Sequence, residues 1–237
     1  MPKPVFIALA IIFSDLLGYD DARESFEAKE AMQISAVGKI QCADGMDRLV
    51  SSAILFVNQD TLIAAAHFNY SEESSREIDP ENCAAIFKNG KGSARQKFKF
   101  QLLAQGGDHQ HFAISRAVDW ALLRLDQPAS PEFQPLRAVT FEQSSGPQRI
   151  VFSDFRKSSL SGRFGGSFCT AVTIPNAKAL ISHDCETKPG SSGGAIIALD
   201  GGEPALLGMH VAKQRDRGLA IKSDFLRKSL SEAYDGF

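Results

Sequence analysis

Short apolar or alternating runs, set apart by turn residues, fill most of this chain and leave little of it for helix. Ala53 to Val57, Lys97 to Leu103, Ala121 to Leu125, Ile150 to Phe152, Ala195 to Leu199 and Ala205 to Val211 all have this character. Runs so short, rich in β-branched or alternating apolar residues, predict strands. Val172 to Ile174 and Ala179 to Ile181, joined through Pro175-Asn176, predict a hairpin, and Asp200-Gly201-Gly202 predicts another turn of that kind. A helical period shows at the end, where Ser223-Asp224 offer a cap and Phe225, Leu226, Leu230, Ala233 and Tyr234 share a face. The expected fold class is all-β with a C-terminal helix.

Composition narrows the function. Hydrophobic residues make up 43% of the 237, enough to bury a core rather than remain disordered. A chain of this length is one or two domains, and all-β barrels of this size commonly count as one. The formal net charge of −2 argues against nucleic acid or an anionic membrane as a charge-driven partner and leaves the oligomeric state open. Protein or peptide substrates held in a site are the expected partners.

Residues 1–18 predict a secretory signal peptide. Lys3 precedes an apolar run from Val5 to Phe13 that is too short to span a bilayer, and Gly18 or Ala22 can close a cleavage site. A buried strand or helix at the start of the fold is the alternative. Residues 19–36, including the polar stretch from Asp20 to Lys29, read as a propeptide or an N-terminal arm. Four cysteines fit an exported protein with two disulfides. Three pairings are open, and the predicted hairpin favours Cys169 with Cys185, which leaves Cys42 for Cys83. No C-x-x-C spacing supports a metal site.

Three motifs carry chemistry. Gly190-Ser191-Ser192-Gly193-Gly194 has glycines on both sides of a serine pair, the composition of a tight turn that exposes a hydroxyl and aims N–H groups at a developing oxyanion. Thr61-Leu62-Ile63-Ala64-Ala65-Ala66-His67 is an apolar strand ending in a histidine able to take a serine proton. Asp119-Trp120-Ala121-Leu122-Leu123-Arg124-Leu125 puts a carboxylate at the head of a strand, where it can orient that histidine. A lone glycine-serine loop, a lone histidine or a lone aspartate is more often ordinary structure. All three in the order His, Asp, Ser are much harder to obtain by accident.

In these motifs the chain resembles the chymotrypsin-like serine peptidases, whose signatures run T-A-A-H, D-I-A-L-L and G-D-S-G-G. The resemblance extends from about Val37 to the C-terminus. It implies two six-stranded antiparallel β-barrels over residues 37–237, about 37–130 and 131–237, with a boundary near Gln127 to Pro135, the active site in the cleft and no cofactor. It also implies His67 as general base, Asp119 as its orienter, Ser192 as nucleophile, and the N–H groups of Gly190 and Ser192 as the oxyanion hole. Ser191 fits the nucleophile's place poorly, because Pro189 would then occupy the glycine's position. The animal digestive enzymes carry, directly before the serine, an aspartate that pairs with a freed N-terminal amine. Ser191 has no charge, so that device is absent and Ser191 is expected to supply backbone only.

Thr187 and His210 resemble the hydroxyl and histidine with which the glutamyl endopeptidase branch holds an acidic side chain, and Lys213 adds positive charge nearby. Glu186 points the other way, since trypsin-type enzymes place an acid close to this position to attract lysine or arginine. Two rivals remain in the sequence. His109-Gln110-His111 would put two imidazoles on one side of a strand, the spacing of a metal site, but its place among Gly106, Gly107 and polar residues reads as an exposed loop and no metal is expected; a peptidase fold can also serve as a catalytically silent binding protein. The resemblance and the cysteines together place the expected enzyme outside the cytoplasm, secreted or periplasmic.

Overall fold

The computed structural model describes residues 34–88, 95–107, 115–141, 146–155, 166–198 and 204–234. The expected signal peptide, most of the arm, the His109-Gln110-His111 segment and the Asp200-Gly201-Gly202 turn lie outside these. Ile34, Ser35 and Ala36, the end of the expected arm, are buried. The Ser35 hydroxyl donates to the Glu132 carbonyl and accepts from the Gln134 N–H, which anchors the chain to the segment between the two sheets.

The first sheet contains β1 (Val37–Asp44), β2 (Asp47–Leu55), β3 (Thr61–Ala64), β6 (Cys83–Lys88), β7 (Arg95–Phe98), β8 (Phe100–Gln105) and β9 (Ala121–Leu125), with β4 (Tyr70–Ser71) and β5 (Arg76–Glu77) as a separate small pair. Gly45, with φ of +58°, opens the two-residue turn between β1 and β2, where a left-handed backbone matches the twist of the strands. The strand order is β7-β6-β1-β2-β3-β9-β8. β7 and β8 sit at opposite edges of that order, yet they are separated in sequence by Lys99 alone. One strand bent at Lys99 therefore joins the two edges and curls the sheet into a six-membered barrel. The run predicted from Lys97 to Leu103 is interrupted at this bend because its halves pair with different neighbours, Phe98 with Ala85 and Phe100 with Leu125.

The second sheet holds β10 (Arg137–Ala138), β11 (Gln148–Ser153), β12 (Gly166–Thr173), β13 (Leu180–His183), β14 (Ala195–Ala198), β15 (Ala205–Gln214) and β16 (Arg217–Lys222). Pairing of β15 with β16 closes six of these into a ring, and β10 is added outside it, parallel to β15. The predicted hairpin is β12 and β13, with Thr173 opposite Ile181 and Asn176 in the left-handed region at the turn. Both disulfides form, Cys42–Cys83 and Cys169–Cys185, and no cysteine is free. Cys42 and Cys83 face each other directly in the β1–β6 ladder.

Helix α1 (Ser223–Ala233) closes the described chain. Leu226 and Leu230 are buried, each burial stabilising by roughly 1.5 to 3 kcal/mol, whereas Ala233 from the predicted apolar face is exposed. The Ser223 hydroxyl does not cap the helix: it donates to the Val139 carbonyl, and Lys222 occupies the cap position. A tertiary acceptor has taken the hydroxyl that local patterning assigned to the helix end. One apolar cluster runs through the first barrel to α1 and includes Val151, Ile197, Leu206 and Met209 of the second. A smaller cluster around Phe152, Ile181 and Ile196 fills the second barrel. No helix among the described residues is long and apolar enough to cross a membrane.

Candidate active site

Strand register brings the histidine and the aspartate together. β3 runs antiparallel to β9 with Ala64 opposite Ala121, so the residues just after β3 meet those just before β9. His67 lies in the short 3-10 turn that follows β3, and Asp119 follows a second such turn, Arg116–Val118. Asp119 is fully buried. Its carboxylate accepts the Nδ1–H of His67 at 2.8 Å and 2.9 Å from the two oxygens and also the His67 backbone N–H at 3.3 Å. An ionised carboxylate has no proton to give, so the imidazole proton resides on Nδ1 and the lone pair on Nε2. Arg116 approaches the same carboxylate at 3.7 Å from a partly exposed position.

Ser192 reaches this neighbourhood from the second barrel, in the loop that leads into β14. Its carbonyl accepts the Ser52 N–H and the Ser51 hydroxyl of β2, both at 2.8 Å, which docks the loop on the first barrel. Ala53, the next residue of β2, pairs with Ala64, three residues before His67. Gly190 and Gly193 have φ of +89° and +81°, a backbone that L side chains rarely adopt. A Cβ on Gly193 would also collide with the Ser52 carbonyl oxygen. Gly193 N–H donates to the His210 carbonyl and Gly194 N–H to the Ser191 carbonyl. Among the described residues neither the Gly190 nor the Ser192 N–H has an acceptor, the condition an oxyanion hole requires.

With these contacts in place, the chain can be compared with known proteins. No family profile matches it, and no curated protein sequence matches it. Among solved structures it is similar to a thermostable serine protease, AL20, from an extremophilic microorganism, with a TM-score of 0.61 and 15% identity over 84% of this chain and 97% of that one. The fold is the two-barrel chymotrypsin-like one. At such low identity the likeness establishes architecture alone.

Around the chymotrypsin-like cleft, the remaining sequence candidates separate. Thr187 is buried and its Oγ1 has no hydrogen-bond partner among the described residues. His210, on β15, is buried beside the serine loop: its N–H donates to the Gly194 carbonyl, and its own carbonyl holds Gly193. Glu186 is 71% exposed and pairs with Lys188 at 3.0 Å, so it is a solvated surface acid rather than a buried pocket anion. Lys213 is exposed near the β15–β16 turn.

Sequence reasoning missed His183. It is fully buried on β13, and its Nε2 lies 2.9 Å from Nδ1 of His210, with Phe152 stacked against it. Burial pushes the pKa of His183 down to about 4 and that of His210 down to about 3. For His210 the charges of His183 and His67 add to the effect of burial, while the Leu219 carbonyl opposes it. Both imidazoles are therefore neutral near pH 7. Alternation along β13 would have marked His183 as facing inward, but only the fold places it against His210.

Ser191 departs from expectation as well. Its hydroxyl is buried, donates to the Asp154 carboxylate at 2.6 Å and accepts the Lys188 N–H at 3.1 Å. It supplies more than backbone.

Proposed function

We propose that this chain is an exported serine endopeptidase that works through His67, Asp119 and Ser192 and prefers an acidic residue before the scissile bond. The observation that carries the reading is the buried Asp119 carboxylate on Nδ1 of His67, which leaves the Nε2 lone pair for the serine proton. His67 takes that proton as Ser192 Oγ attacks the peptide carbonyl. The oxyanion then gathers the N–H groups of Gly190 and Ser192. Collapse of the tetrahedral intermediate breaks the C–N bond, His67 passes its proton to the leaving amine, and a water activated by the same base hydrolyses the acyl-enzyme. The two disulfides support export, since such bonds persist in oxidising compartments.

The specificity reading rests on Thr187 and His210 beside the serine loop and on the exposure of Glu186. With the shared hydrogen bond donated by Nε2–H of His183, His210 keeps its own proton on Nε2 and can offer it to a substrate carboxylate. An arginine side chain there would bring a cation against the Nε2–H donor of His210, with the neutral Thr187 hydroxyl rather than a carboxylate to accept its N–H groups, and a site built on buried polar groups discriminates against such a mismatch.

Labelling with a fluorophosphonate tests the nucleophile: the wild type is expected to react and Ser192→Ala to remain unlabelled. A wild type that fails to react would identify a binding protein on this fold. Chromogenic peptides ending in Glu, Asp, Arg or Phe test the pocket. Glu is expected to exceed Arg in kcat/KM by about tenfold or more, and His210→Ala should erase that preference while still reacting with the fluorophosphonate. A wild-type preference for Arg would withdraw the acidic pocket and leave the triad standing.

A further inference from the structure

Asp154 lies just beyond the end of β11, where Ser153 pairs with Ala195, the first residue of β14. That register sets Asp154 beside the loop that precedes β14. Asp154 is fully buried and Ser191 nearly so, at 0% and 1% exposure. A carboxylate in such surroundings persists only when charge-assisted hydrogen bonds satisfy it, and the 2.6 Å contact from Ser191 Oγ is one of these.

The hydroxyl works in two directions. While donating to Asp154, Ser191 Oγ accepts the Lys188 N–H, and the Ser191 N–H returns to the Lys188 carbonyl at 2.9 Å. The turn from Lys188 to Ser191 is thus closed by both backbone and side chain, and Gly190 lies inside it. The Ser191 carbonyl accepts the Gly194 N–H, which fixes the peptide plane whose other side is the Ser192 N–H. On the far side, Ser52 Oγ donates to the Gly190 carbonyl at 3.1 Å and accepts the Phe155 N–H, the residue next to Asp154. Both N–H groups that face the oxyanion are thereby oriented by a network that runs from Asp154 through Ser191 and from Phe155 through Ser52.

We infer that Asp154 is a positioning residue for the oxyanion hole, acting through the Ser191 hydroxyl. This rests on the reading of Ser192 as nucleophile. Its effect is felt in the transition state, when negative charge forms on the oxygen, and little in the substrate complex. A displacement of such donors by a fraction of an ångström to an ångström costs about 10- to 100-fold in rate.

The test compares wild type with Ser191→Ala, Asp154→Asn, Asp154→Ala and the Asp154→Ala/Ser191→Ala double variant. Hydrogen exchange over residues 188–194 reports the loop directly, because the Gly193 and Gly194 N–H groups are hydrogen-bonded there. Each single variant is expected to speed that exchange while β1 to β3 keep wild-type protection, with Asp154→Asn showing the smaller change since it retains an acceptor oxygen. On the peptide cleaved best, kcat should fall about 10- to 100-fold with KM within about threefold. The double variant should be no worse than the more damaged single variant, the signature of one shared contact. Unchanged loop exchange in the single variants, losses that multiply in the double variant, or a loss confined to KM would each overturn the inference. Should the wild type cleave no peptide, the proposed activity falls while loop exchange still decides whether Asp154 orders the turn.

Discussion

Adjacent serines in the same glycine-rich loop make different contacts in this protein. Ser192 is partly exposed and its carbonyl, not its hydroxyl, is tied to the first barrel; Ser191 is buried and its hydroxyl is fully used. Ser192→Ala is therefore expected to cut turnover by on the order of a millionfold, against the much smaller loss at Ser191. Active-site titration followed by single-turnover kinetics of both variants checks this, and equal losses would overturn the assignment of the nucleophile. The order of glycines around Ser192 was readable in the chain. The partner of Ser191 was not, because Asp154 stands 37 positions earlier and follows an apolar strand as unremarkably as any surface acid.

Strands position the candidate residues, and the disulfide between Cys169 and Cys185 fastens one of them to the segment that leads into the Ser192 loop. Cys169 belongs to β12, whereas Cys185 directly precedes Glu186 and Thr187 on the way to Ser192. Cys169→Ser should lower unfolding free energy by roughly 2 to 5 kcal/mol, measured by urea denaturation. Thiol titration of the native, unreduced wild type should find no free thiol; two or more reactive thiols would refute the pairing. The β12–β13 hairpin was legible because Pro175-Asn176 separates two β-rich runs. The bend at Lys99 was not legible, since alternation continues across it and only the choice of pairing partner breaks the strand.

Across the whole molecule, the buried histidine pair makes stability depend on acid. His183 and His210 have folded pKa values of about 4 and about 3, below the ordinary value of 6.5 that the unfolded chain recovers. Well above pH 6.5, near pH 8, both states are neutral at these positions and the pair adds no pH dependence. As pH falls through 6.5, the unfolded chain binds protons that the folded chain refuses, so stability drops until the folded values are passed. Each histidine should cost about 2 kcal/mol between pH 8 and pH 5. Asp47 and Asp184, whose pKa values are also lowered, act below their ordinary value of 3.8 and thus outside that window. Urea unfolding at pH 8, 6.5 and 5 on wild type and His183→Gln measures the effect, and a variant with an undiminished pH slope would show that His183 is not held neutral. The sequence by itself determined the all-β class and the His67, Asp119 and Ser192 candidates, and it favoured the observed cysteine pairing among three, because short alternating runs, turn residues and motif order are local properties of a chain. Only the tertiary structure decided that one bent strand closes the first barrel, that Glu186 faces solvent, that His183 backs His210 and that Asp154 holds Ser191. Each of these depends on which strand pairs with which, and pairing is settled by burial across the whole core rather than by any residue's neighbours in sequence.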